Sequence, residues 1–82
     1  MKEIKFQVEG VEGDFFVDAD AFNTYSVVKA LALGEKNPVA MYEALEKIYM
    51  GNDEEYADRV GGLANMDKLN NAAIEAVGNA KN

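Results

Sequence analysis

A chain of 82 residues without histidine or cysteine has few chemistries open to it. The missing His removes the usual general base, proton shuttle and zinc ligand. The missing Cys removes disulfides and thiolate metal sites. Carboxylates, Lys and Tyr remain. The carboxylates gather in two places, Asp14 with Asp18 and Asp20, and the run Asn52-Asp53-Glu54-Glu55. The first group suggests calcium, but it lacks the glycine and the distal bidentate Glu of an EF-hand loop. Helix capping and solvation account for it. The second group suits the positive end of a helix dipole and, as a metal site, would need further ligands from elsewhere. Neither Gly10-x-x-Gly13, with its acidic neighbours, nor Gly61-Gly62, with no Lys-Ser/Thr pair after it, is a phosphate loop. No catalytic residue, metal site or cofactor is expected.

Apolar residues make up 49% of the chain and the formal charge is −7. Negative charge opposes binding to phosphate backbones and anionic lipid, which rely on Lys and Arg. It favours a basic or polar protein partner, with no nucleic acid and no membrane. The aromatics Phe6, Phe15, Phe16, Phe22, Tyr25, Tyr42, Tyr49 and Tyr56 lack the basic surround of a base-stacking platform. They read as core and interface residues. A domain this small hides only about 60% of the surface its unfolded chain would expose. Some large side chains are therefore expected at the surface, and Phe15, Met41, Tyr49 and Met50 are the candidate protein-binding residues. Exposed Met and aromatic side chains mark adaptable binding surfaces.

The elements that must position these residues form one α+β domain, 1–82, mostly α: an N-terminal β-hairpin followed by three to four helices. In residues 2–8, Ile4, Phe6 and Val8 alternate with Glu3, Lys5 and Gln7, the period-two pattern of a half-buried strand. Turn formers at 9–14 and the apolar run Phe15-Phe16-Val17 complete a hairpin over 1–17. A helix over 21–33 follows, capped by Asp18 or Asp20, with a later start at Asn23 or Thr24 as the alternative. Phe22, Tyr25, Val28, Leu31 and Ala32 form its apolar face in either case. The clearest helix spans 38–50. Asn37 is a good N-cap, Pro38 suits the first helical position, and Gly51 can close the end. Tyr42, Leu45, Ile48 and Tyr49 make its apolar stripe. A short helix at 53–60 starts at an Asp53 cap and stops at Gly61-Gly62. A last one, 66–77, is capped by Asn65 and ended by Gly78. The charged first ten residues do not read as a signal peptide, and no apolar run is long enough to cross a membrane, so an intracellular soluble protein is expected.

Three short motifs then stand in a recognisable order: Phe6-Gln7-Val8-Glu9-Gly10, Asp18-Ala19-Asp20-Ala21, and Gly34-Glu35-Lys36-Asn37-Pro38. In that layout the chain resembles the small tail assembly chaperones of long-tailed phages and prophages of Gram-positive bacteria. The resemblance covers residues 2–51. The chain departs from the pattern in Lys36 before the Asn-Pro step and in a last helix rich in small residues. The resemblance implies a non-enzymatic protein of the host bacterial cytoplasm, absent from the mature virion, that holds the tape measure protein during tail morphogenesis. It also implies a longer form, made by ribosomal frameshifting, that contacts the tail tube protein. Ala80-Lys81-Asn82 is compatible with a slippery GCA-AAA-AAC.

Self-association is expected as well, through the edge that the strand carrying Ile4, Phe6 and Val8 offers to a second copy or through the helix stripes. The alternative function is a small acidic inhibitor or DNA mimic. It rests on the charge alone, and the carboxylates are dispersed over caps and helix faces without a phosphate-like row.

Overall fold

The computed structural model describes residues 2–80, apart from the side chains of Glu35 and Leu63. The alternating N-terminal segment becomes strand β1 (Glu3–Phe6), paired antiparallel with β2 (Phe15–Asp18). Ile4 lies opposite Val17 and Phe6 opposite Phe15. Successive strand side chains point to opposite faces, so Phe6, Phe15 and Val17 share the buried face, with Val8 beyond the end of β1 also buried. Five helices follow among the described residues: α1 (Ala19–Phe22), α2 (Tyr25–Leu33), α3 (Pro38–Ile48), α4 (Asp53–Val60) and α5 (Met66–Ala80). Single 3₁₀ turns at Gly34–Lys36 and Leu63–Asn65 join α2 to α3 and α4 to α5. The fold is the expected mostly-α α+β arrangement behind an N-terminal hairpin.

The helix count exceeds the expected three to four because segment 21–33 divides, using both of the starts its sequence offers. Asp18 caps α1, its Oδ1 accepting from the Asp20 N–H at 3.0 Å. After one turn the Asn23 N–H folds back on Ala19 and Asp20 carbonyls, both at 3.2 Å, and extended Thr24 restarts the chain as α2. The break turns α2 away from its expected face. Val27 and Ala30 are buried, while Tyr25 and Val28 are exposed. Ala30 is small enough to let α2 lie close against α3, which is its main partner.

Other boundaries shift for local reasons. Asn37 does cap α3, its Oδ1 accepting from the Ala40 N–H at 3.3 Å, with Pro38 in the first turn. The helix stops at Ile48, short of 50. Gly51 N–H reaches the Glu46 carbonyl at 2.9 Å and Met50 N–H the Lys47 carbonyl at 3.3 Å. That pairing is a Schellman closure, and it puts Met50 at φ 56° ahead of Gly51 at φ 84°, so two successive residues take positive φ. Helix α4 closes the same way with Gly61 there at φ 98°. Its N-cap is Asn52, so Asp53, Glu54 and Glu55 occupy the first turn, where their charge meets the helix dipole. Asn65, expected to cap α5, donates from Nδ2 to the Val60 carbonyl at 2.8 Å and closes α4. Helix α5 runs through Gly78 to Ala80. An interior glycine costs only about 1 kcal/mol, too little to stop it.

The core lies between the buried face of the hairpin and α3, α4 and α5, around Phe15, Val17, Ile48, Tyr49 and Leu69. The molecule is a slab of 30 × 30 × 18 Å. At about 10 Å per helical layer, such a slab is two layers thick, and nearly every element keeps one face in solvent.

Candidate protein-binding groove

Large apolar side chains left outside the core define the site. Val39 is 67% exposed, Ile74 54% and Tyr42 48%, with Tyr25, Val28 and Leu33 also exposed. Tyr42 and Ile74 both line an open groove of about 760 Å³ whose walls include α3 and α5. Helical spacing builds both walls. Pro38, Met41, Tyr42 and Leu45 recur three or four residues apart on α3, and Met66, Asp67, Asn70 and Ile74 do so on α5. Phe22 of α1 and Leu31 of α2 extend the lining, and Leu45 and Met66 are its most buried members. Its polar groups are the Asp67 carboxylate, the Asn70 amide and the Tyr42 hydroxyl. Asn70 is fixed from below, since the Tyr49 hydroxyl donates to its Oδ1 at 2.6 Å. Burial, and secondarily the neighbouring Tyr56, hold the Tyr49 phenol well above its ordinary pKa, so it stays protonated as a donor.

Of the four side chains expected at the surface, Met41 alone lines this groove, half-buried. Met50 is half-buried in the turn after α3. Phe15 and Tyr49 are fully buried, contrary to expectation. They belong to a run of aromatic contacts: Phe6 on Phe15 at 5.7 Å, Phe15 edge-on to Tyr56 at 4.9 Å, and Tyr56 edge-on to Tyr49 at 5.5 Å. Each such pair adds about 0.5–1.5 kcal/mol beyond the area buried. Arg59 closes the outer end, its guanidinium 3.9 Å above the Phe15 ring. The same group donates from Nη1 to the Asp14 carbonyl at 2.9 Å and from Nη2 to the Glu12 carbonyl at 3.0 Å. The domain thus hides more aromatic surface than its size suggested, because one arginine roofs the stack.

The strand side chains named as a self-association edge are also turned inward. Phe6 and Val8 are buried and Ile4 is half-buried against the core. A strand added at β1 would meet backbone flanked by Glu3, Lys5 and Gln7. Tyr42 belonged to the apolar stripe read from the sequence, but Val39 and Ile74 were missed. One signal was available: α2 and α3 carry apolar residues on more of their circumference than one core can cover.

The acidic groups have structural duties. Asp14 Oδ1 accepts from Gln7 Nε2 at 3.2 Å, and Asp18 caps α1. Among the described residues no three carboxylates gather as a metal would need, and no helix is long and apolar enough to cross a membrane. The groove can exclude water from an apolar guest, and it has a carboxylate at its wall. No family model matches the chain, and no curated protein or solved structure is significantly similar to it.

Proposed function

We propose that this protein is a phage tail assembly chaperone that holds helical stretches of a tape measure protein while the tail tube polymerises around it. The observation that supports this is an open apolar groove between α3 and α5, on a small acidic molecule whose aromatic core is otherwise closed. A chaperone for a long helical protein needs such a surface and needs it to be soluble. Weak individual contacts suffice, because several copies along one tape measure gain avidity. Association between copies, contact with tail tube protein through a frameshifted longer form, residence in the host cytoplasm and absence from the virion follow from the same reading. The residues that would carry the slippery codons run into 81–82, outside the described residues.

Co-expression tests the proposal. The tape measure protein encoded beside this chain should remain soluble and co-purify with it, and should precipitate without it. A tape measure that stays insoluble in both cases, or a chain that instead binds duplex-DNA enzymes and is displaced by DNA, rejects it. Gene order gives a second check, with a tail tube gene before and a very long tape measure gene after.

A further inference from the structure

We infer that the α3–α5 groove takes one amphipathic helix of another protein, seated by apolar residues about one turn apart and flanked by Lys or Arg. The inference rests on the proposed function only in taking a polypeptide as the ligand. The guest's conformation follows from the lining. Every wall is helical or a 3₁₀ turn, so outside the first turns of α3 and α5 most backbone groups there are committed within their own elements. An extended guest would bring unpaired N–H and C=O groups against Met41, Leu45, Met66 and Ile74, with only the side chains of Tyr42, Asp67 and Asn70 to receive them among the groove's lining side chains. Such groups cost about 1–3 kcal/mol each when left unsatisfied. A helix satisfies its own backbone and presents only side chains. The α3 wall is 11 residues long, about 16 Å or three turns, enough for anchors at i, i+3 or i+4, and i+7.

The rim sets the guest's charge. Asp67 stands in the α5 wall. Glu46, exposed, lies one turn beyond Tyr42 on α3. Lys47 lines a small recess between α2 and α3 and the Lys68 amine lies beside Gly10 of the hairpin loop, which leaves the exposed Lys36, in the turn between Gly34 and Pro38, as the cation beside these two carboxylates. A second copy of this chain is a poor guest for this groove, because each copy carries −7, and the association between copies proposed above would use another surface.

Two peptides of about 18 residues test this on the full chain by fluorescence anisotropy. Both repeat Leu at i, i+4 and i+7. One places Lys beside the Leu stripe and the other Glu. The Lys peptide should bind and gain helical circular dichroism, and the Glu peptide should bind about tenfold more weakly or worse. Tyr42→Ala/Ile74→Ala, both exposed and so compatible with folding, should weaken the Lys peptide about tenfold. Glu46→Lys/Asp67→Lys should reverse the preference. Equal affinity for both peptides, binding indifferent to either variant, or no binding of any peptide overturns the inference. Failure here is separable from failure of the proposed function. A tape measure protein still held by Tyr42→Ala/Ile74→Ala refutes the groove alone, whereas a Lys peptide bound without any tape measure binding refutes the chaperone role alone.

Discussion

At the scale of single residues, Arg59 and Tyr49 decide what is buried. Arg59 replaces solvent over Phe15 and ties α4 to the hairpin loop through two carbonyls. Truncating it to Ala should cost about 2 kcal/mol, from a cation–π contact and two charge-assisted hydrogen bonds. Urea midpoints at unchanged slope measure the loss. Lys in its place should recover less than half, since an ammonium cannot reproduce the planar fork. Gly13, at φ 94°, has no room for a Cβ beside the Arg59 guanidinium. Gly13→Ala should therefore destabilise less in an Arg59→Ala background than alone, the residue being the positive-φ strain. Tyr49 is read by pH. Its phenol is raised in the folded state, so the contribution it makes is complete below the unfolded pKa of about 10 and declines above it. Tyr49→Phe should cost about 1 kcal/mol at pH 7 through the lost bond to Asn70. The loss of stability between roughly pH 9.5 and 11 should then be shallower in the variant. Parallel alkaline slopes would mean that Tyr49 ionises as freely folded as unfolded.

At the scale of elements, local chemistry was readable and long-range pairing was not. The hairpin shows in the alternation of Ile4, Phe6 and Val8, and α3 in Asn37-Pro38, because strand pleat and helix start are dictated within a few residues. The inward turn of Phe15 depends on Tyr56 and Arg59, dozens of positions away, and that of Tyr49 on Tyr56 across the break between α3 and α4, and no periodicity encodes either. The groove is hidden for the same reason, since its lining comes from four helices and the connecting turns. The end of α3 combines the two cases. Gly51 announces a stop and does take positive φ, but the bonding pattern also puts Met50, one residue earlier, at φ 56°. A non-glycine side chain there costs about 1–2 kcal/mol, and Met50 is not packed against the core in return. Met50→Gly should raise stability by about 1 kcal/mol, measured by thermal unfolding. Tape measure binding, measured in parallel, tells why the strain is kept. Weaker binding by the more stable variant makes Met50 a contact residue, and unchanged binding makes it a tolerated imperfection.

At the scale of the whole molecule, the slab geometry and the charge act together. A body 18 Å thick cannot enclose the outer faces of α2 and α3, so apolar side chains remain accessible beside exposed carboxylates. Exposed charges are screened by salt whereas buried aromatic contacts are not. Raising ionic strength from 0.05 to 0.5 M shortens the screening distance from roughly 14 Å to about 4 Å. Over that range the Lys-flanked peptide should lose about tenfold in affinity, and the folding midpoint of the free protein should hold or rise as its own −7 is screened. Anisotropy titrations and thermal melts on one set of samples give both quantities. If affinity held constant with salt, the rim carboxylates would have no part in recognition, and the groove would select its guest by apolar fit alone. If affinity and folding midpoint fell together, the peptide would be reporting loss of the fold, and the opposite responses of rim and core are what separate that outcome from a charged, groove-bound helix.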